Sequence, residues 1–196
     1  VKIYIQIGAN IGNDSFQKMV EHIDEKIKIL LIEPNAELLE ELSNNYEKLR
    51  NNHEVIIVPH GISLINGDAV MYLYPESGHS TLINRKTRPS EDKAFKKVSI
   101  TTFNTLCEKF FITDIEYLYI DTEGLDYEIL NSIDLSKINI KTIVFEKWPI
   151  EDDDLSQNYR TGTMFLNNFI KPKFKDYRFD DIVVDGMPSY KLTKMK

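Results

Sequence analysis

The chain has 196 residues, 42% hydrophobic and 28% charged, which suits one soluble globular domain with a sizeable core. Its net charge of -7 argues against a nucleic-acid partner, since phosphate binding uses a basic face. The single cysteine, Cys107, excludes an internal disulfide and suits a reducing, cytoplasmic setting, and no apolar run approaches the ~20 residues that span a bilayer. The sequence starts on a strand pattern without an initiator Met. It is expected to be one domain, 1–196, cut from a longer protein in which further domains are linked to it.

"KIYIQI" (2–7) reads as a first strand, and "DSFQKMVEHI" (14–23) as a helix with Phe16, Met19, Val20 and Ile23 on one face. "KILLIE" (28–33) is the second strand. The helix "PNAELLEELSNNYEKL" (34–49) carries Leu38, Leu39, Leu42, Tyr46 and Leu49 at helical spacing, with Pro34 and Asn35 suited to its first turn. "EVIIVP" (54–59) is the third strand. "AVMYLYP" (69–75) suggests an extra strand and 76–93 a long loop. A helix over 101–110, a strand over 116–121, a helix over 125–133, a strand over 141–146 and a helix over 161–170 follow. The tail has two strand-like runs around Asp185-Gly186, a hairpin turn signal. Such β/α alternation predicts an α/β fold with a mainly parallel sheet, closed by an antiparallel hairpin.

Three features mark a site. Strand one runs into "GANIG" (8–12) and then a helix, so glycines there let backbone N–H groups approach a ligand. The spacing is G-x-N-x-G, not the G-x-G-x-x-G of dehydrogenases, and no Tyr-Lys or His pair is placed for hydride chemistry. Glu33 ends strand two, where an acid can accept hydrogen bonds from both ribose hydroxyls; its plainer role is to cap the following helix. Together these predict a nucleoside ligand, with NAD and S-adenosylmethionine both open at that point. The third feature is "YIDTEGLDYEIL" (119–130): Asp121 ends strand four, and Glu146 ends strand five in "IVFE", so both face the same sheet edge.

"IGANIG", "LIEP", "YIDTEGLDYEIL" and "IVFE", in this order, resemble the FkbM family of S-adenosylmethionine-dependent methyltransferases over residues 2–150. The resemblance implies a class I methyltransferase fold, Rossmann-like, with a mainly parallel seven-stranded sheet. It implies O-methylation of a hydroxyl on a sugar, glycolipid or secondary metabolite. On that basis Gly8, Ala9, Asn10 and Gly12 would hold the methionine part of the cofactor, and Glu33, followed by Pro34, the ribose. "HGIS", with Gly61 and Ile62, would lie against adenine, and Asp121 and Glu123 match the signature acids. One position departs from the pattern: two residues before the first glycine, where the family has an acid, this chain has Gln6. Gln6 can still hydrogen-bond the cofactor's ammonium group or a bridging water, without a counter-charge.

Methyl transfer needs an aligned acceptor and a base for its proton. Asp121 or Glu123 is the candidate base, with Glu146 orienting the acceptor; the bland alternative for Glu123 is a contact with backbone or with Lys147. His79, in "SGHST", is a rival base. His60 falls near the same crevice, whereas His22 and His53 read as surface residues, and the four histidines form no zinc pattern. Asp121, Glu123 and Glu146 can also supply oxygen ligands to Mg²⁺ or Mn²⁺, though nothing in their spacing demands it. Asp126 and Glu128 read as partners of a helix N-terminus. Loop 75–95, with Arg85, Lys86 and Arg88, is either a solvated loop or a lid. Trp148, Tyr159 and Arg160 suit a sugar or, for Trp148, the core; "EDDD" (151–154) reads as a solvated face. The leading expectation is an O-methyltransferase of a carbohydrate hydroxyl, such as that of a deoxyhexose like rhamnose in a glycan. Methylation of a small-molecule or lipid hydroxyl, and a non-catalytic nucleoside-binding module of a larger glycan-processing protein, are the alternatives.

Overall fold

In the computed structural model, residues 1–73, 80–82, 94–147 and 162–195 are described. Strands β1 (Lys2–Ile7), β2 (Ile27–Ile32) and β3 (Glu54–Val58) form one half of a seven-stranded sheet. β7 (Asp114–Ile120), β8 (Asn139–Glu146), β9 (Tyr177–Val184) and β10 (Met187–Lys194) form the other. The order is β3-β2-β1-β7-β8-β10-β9, parallel except for β10, which pairs antiparallel with β8 and β9. This is the mainly parallel sheet with a closing hairpin that the alternation predicts. Strand order reverses between β1 and β7, and a doubly wound sheet opens its ligand crevice at such a point, beyond the C-terminal strand ends.

Both faces of the sheet are covered, which explains the near-continuous apolar strands. On one face Ile5, Ile7, Leu30 and Ile32 pack with α3 (Phe103–Lys109), α4 (Asp126–Ser132) and a helical segment, α5, over 162–173. On the other face Tyr4, Ile29 and Leu31 pack with Phe16 and Val20 of α1 (Ser15–Val20) and with Leu42 of α2 (Leu39–Asn45). Ile182 and Val184, near the tip of the β9–β10 hairpin, also pack against this second cluster.

Helix boundaries differ from the periodicity-based expectation for local reasons. α1 starts at Ser15 because Asp14 caps it, Oδ1 accepting from the Gln17 N–H at 3.0 Å. α2 begins at Leu39, not at Pro34, because Asn35 turns the chain first: its N–H is taken by Glu33 and its Oδ1 accepts from Glu37 N–H. α3 begins at Phe103, with Thr102 Oγ1 accepting from Thr105 N–H.

The larger difference lies between β3 and α3. Here β4 (Gly61–Ser63), β5 (Gly67–Leu73) and β6 (Ala94–Thr102) form a separate three-stranded sheet in the order β4-β6-β5. The sequence pattern suggests only one extra strand there. β6 hides because only Val98 and Ile100 of "AFKKVSITT" are buried, packing with Met71, so its alternation is short. His53 is a second correction: it is buried, 5% exposed, with Nδ1 accepting from the Ile27 N–H at 3.5 Å. His22 is exposed, as expected. His79, Arg85, Lys86, Arg88, Trp148, Tyr159, Arg160 and the 151–154 acids lie outside the described residues. No helix among the described residues is long and apolar enough to cross a membrane.

Candidate active site

The glycine loop is shaped by close approaches on both sides. Gly8 takes φ +81°, and a Cβ there would sit 1.8 Å from the Asp121 carbonyl oxygen, so only glycine lets the ends of β1 and β7 meet. Gly8 and Ala9 N–H groups both donate to Ile32 O, at 2.9 and 3.0 Å, which ties the loop to β2. Gly12, at φ +68°, lies against Tyr46 and Leu42, and a Cβ there would sit 2.5 Å from the Tyr46 ring. Between them Asn10 adopts φ 48° and its side chain accepts from Ile11 N–H at 2.8 Å.

Glu33 is the second fixed point. It is 6% exposed, its Oε2 accepts from Asn10 N–H at 2.9 Å and its Oε1 from Asn35 N–H at 2.8 Å. Burial pushes its carboxyl above the usual value, and these two hydrogen bonds pull the other way. Glu33 does not cap α2, whose N-cap is Leu38; its two oxygens instead hold the glycine loop and the turn after β2. Each carboxylate oxygen can accept more than one hydrogen bond, which leaves capacity for ribose hydroxyls.

Beyond β7 the charge density changes. Ligand oxygens of Asp121, Glu123 and Glu146 come within 4.8 Å of one another, and all three residues are partly buried. Burial first, then the charges of Asp126, Glu123, Asp14 and Asp185, push the Asp121 carboxyl up to about 8. The turn that carries it is strained: Glu123 takes φ 57° and is followed by Gly124 at φ 121°. Asp126 closes this turn from below, its Oδ2 accepting from Thr122 Oγ1 at 2.8 Å and Gly124 N–H at 3.3 Å. Fully buried, Asp126 is itself raised to about 6, chiefly by desolvation. It holds the loop and does not line the cavity. Thr81 Oγ1 donates to Glu123 O at 3.0 Å, and Thr81 bridges to Tyr72, which ties the small sheet to the site. Lys147 donates to Asp181 at 2.8 Å.

These parts enclose a cavity of about 580 Å³, within the usual range for small-molecule sites. Of the residues singled out from sequence, Gly8, Asn10, Gly12, Glu33 and Pro34 line it, and so do Gly61, Ile62, Asp121 and Glu123. His60 lines it as well, and its Nδ1 is buried without a hydrogen-bond partner among the described residues. Gln6, Ala9 and Glu146 are not part of the lining: Gln6, behind the loop, and Ala9, within it, are buried at 1% and 0% exposure, and Glu146 joins through the acid cluster. His79 lies outside the described residues. Sequence reasoning missed Asp14, Asp185, Leu38, Met71 and Leu82, all in the lining. Asp14 has a helix-cap signal and Asp185 a turn signal, but neither signal says that both line one cavity. Ser15, the residue after Asp14, holds the hairpin tip there, its N–H and Oγ donating to Asp185 at 3.0 and 2.6 Å across 170 residues of chain.

Cys107, the lone thiol, is buried and pushed up to about 12, so it offers no nucleophile to this site.

A family model described as the methyltransferase FkbM domain matches residues 6–179. No protein with a curated description matches the sequence. Among solved structures the fold is similar to that of Aeropyrum pernix fibrillarin in complex with natively bound S-adenosyl-L-methionine. Identity is 11% and the TM-score 0.50, covering 98% of this chain and 66% of that one. A methyltransferase from Geobacter sulfurreducens is similar at 11% identity and TM-score 0.50, covering 100% of this chain and 71% of that one. At such identities these likenesses concern the fold alone. The family match spans most of the chain, including the glycine loop, Glu33 and the acids after β7, and the chain belongs to the FkbM methyltransferase-domain family.

Proposed function

We propose that this chain is an S-adenosylmethionine-dependent O-methyltransferase, acting on a carbohydrate hydroxyl, with a deoxyhexose such as rhamnose in a glycan as the first acceptor to test. The observation that carries the reading is a cavity joining a ribose-competent acid, Glu33, to a glycine-loop cradle and a pair of carboxylates, Asp121 and Glu123. The residues fit the cofactor: the glycine loop and Glu33 line one cavity, and its Pro34, Gly61 and Ile62 wall is apolar enough for adenine. Bound S-adenosylmethionine supplies an electrophilic methyl on a sulfonium. The sugar acceptor rests on the family resemblance.

Asp121 would take the proton of the acceptor hydroxyl, leaving its oxygen to receive the methyl group that the bound cofactor would supply. A carboxyl raised to about 8 is a stronger base, once ionised, than an ordinary carboxylate. A bound sulfonium would favour its ionised form. Glu123 shares the proton or takes it directly, and Glu146 orients the acceptor through the cluster. The same three carboxylates are hard oxygen ligands of the kind that Mg²⁺ or Mn²⁺ takes. The test is methyl incorporation from labelled cofactor into rhamnose-bearing glycans, small-molecule alcohols and lipids, with and without Mg²⁺. Asp121→Asn and Glu123→Gln are expected to lose turnover; if both retain it, neither is the base. Cofactor binding with no transfer to any acceptor would favour a non-catalytic binding module.

A further inference from the structure

Position 6 is where the charge pattern of this chain departs from the one that the family resemblance implies, and the structure shows what stands beside it. Gln6 is 1% exposed at the end of β1. Its Nε2 donates to Asp14 Oδ2 at 2.5 Å. Its Oε1 is buried with no hydrogen-bond partner among the described residues. An amide can give Asp14 a donor, whereas an acid at position 6 would set two carboxylates against each other. Gln6 and Asp14 therefore act as one unit, in which the charge sits eight residues further along the chain. Asp14 lines the cavity and Gln6 does not, so the charge has also moved from behind the loop to the cavity wall.

Asp14 is held in place by more than Gln6. Its Oδ1 caps α1 through Gln17 N–H, and the next residue, Ser15, binds Asp185 from the hairpin tip. Both acids share the cavity lining with Asp121.

We propose that Asp14, positioned by the Gln6 amide, is the counter-charge for the α-ammonium group of the cofactor's methionine end, replacing the acid that position 6 lacks. This rests on the reading of the cavity as an S-adenosylmethionine site. A carboxylate facing an ammonium makes a charge-assisted hydrogen bond, worth about ten- to a hundredfold in affinity. The unpartnered Gln6 Oε1 supplies a neutral acceptor next to it, for a water that completes the ammonium's shell.

The test uses calorimetric titration with two probes: S-adenosylhomocysteine, which has the amino-acid end, and 5′-methylthioadenosine, which lacks it. Asp14→Asn keeps a residue that caps helices well, so α1 survives while the charge is removed. It is expected to weaken S-adenosylhomocysteine by about tenfold or more while leaving 5′-methylthioadenosine within about twofold. Adding Gln6→Glu to Asp14→Asn reverses the pair and should recover most of the lost affinity. Equal weakening of both probes, or of neither, overturns the assignment. Wild-type protein that binds neither probe instead overturns the underlying cofactor reading.

Discussion

At one end of the cavity the buried acid, Glu33, has both oxygens engaged by backbone N–H groups of its own loops. At the other end Asp121 is surrounded by Asp126, Glu123, Asp14 and Asp185, whose charges add to burial in raising it to about 8. The first end is satisfied before any ligand arrives; the second holds mutual repulsion that a cation relieves. Local satisfaction suits a ribose, whose recognition needs a fixed geometry. Stored repulsion suits a cationic cofactor and a proton to be moved.

The sharpest way to break this contrast is at Asp121. Asp121→Asn is expected to lower turnover by about 10²–10⁴-fold while cofactor affinity changes far less, measured by steady-state methyl transfer. An unchanged rate would make the acid end a binding wall only.

The repulsion should also appear in stability. Asp121 and Asp126 have folded-state values of about 8 and about 6, against an ordinary 3.8. Both are raised, so the folded state keeps protons that the unfolded chain has released. Their contribution is complete below the ordinary value and is lost as pH climbs through about 6 and then about 8. The empty protein should therefore lose stability between pH about 4 and about 8 in urea denaturation. Asp121→Asn should remove the upper part of that loss and stabilise the protein by about 1–3 kcal/mol near pH 8. S-adenosylmethionine should flatten the same slope more than S-adenosylhomocysteine, which carries no sulfonium.

At the satisfied end the effects are mechanical. Gly12→Ala puts a methyl into the Tyr46 ring and Leu42 at a positive φ, and is expected to cost about 1–3 kcal/mol of stability. Back at the acid end, Asp185→Asn is the smallest change. It weakens the Ser15 contacts of an exposed hairpin tip and should shift stability by about 0.5–1 kcal/mol, read by thermal unfolding.

Much of this geometry is legible in the sequence, for a physical reason. β1, β2, β7 and β8 are covered on both faces and read as near-continuous apolar runs, and a parallel sheet sends all their C-terminal ends to one edge. Gly8, Glu33 and Asp121 end such runs, so their meeting follows from topology. Of the small sheet, β5 is foreshadowed by the run at 69–75, but β6 is not legible, because Val98 and Ile100 alone are too few to set a period. Asp14 and Asp185 escape for another reason. Each has a complete local explanation, as a helix cap and as a turn residue at φ 49°, and nothing local says that the β9–β10 hairpin folds back to Ser15. His53 misleads because a histidine flanked by "NN" and Glu54 looks solvated, while its ring turns inward to the start of β2.

The most direct measurement is calorimetric titration of the wild type and Glu33→Ala with S-adenosylmethionine. The expected result is binding near about 1 µM that weakens by about a hundredfold in the variant, since both ribose hydroxyls lose a charged acceptor. The contrary result is equal binding in the two proteins, which would take the ribose away from Glu33 and, with it, the orientation of the cofactor along the cavity.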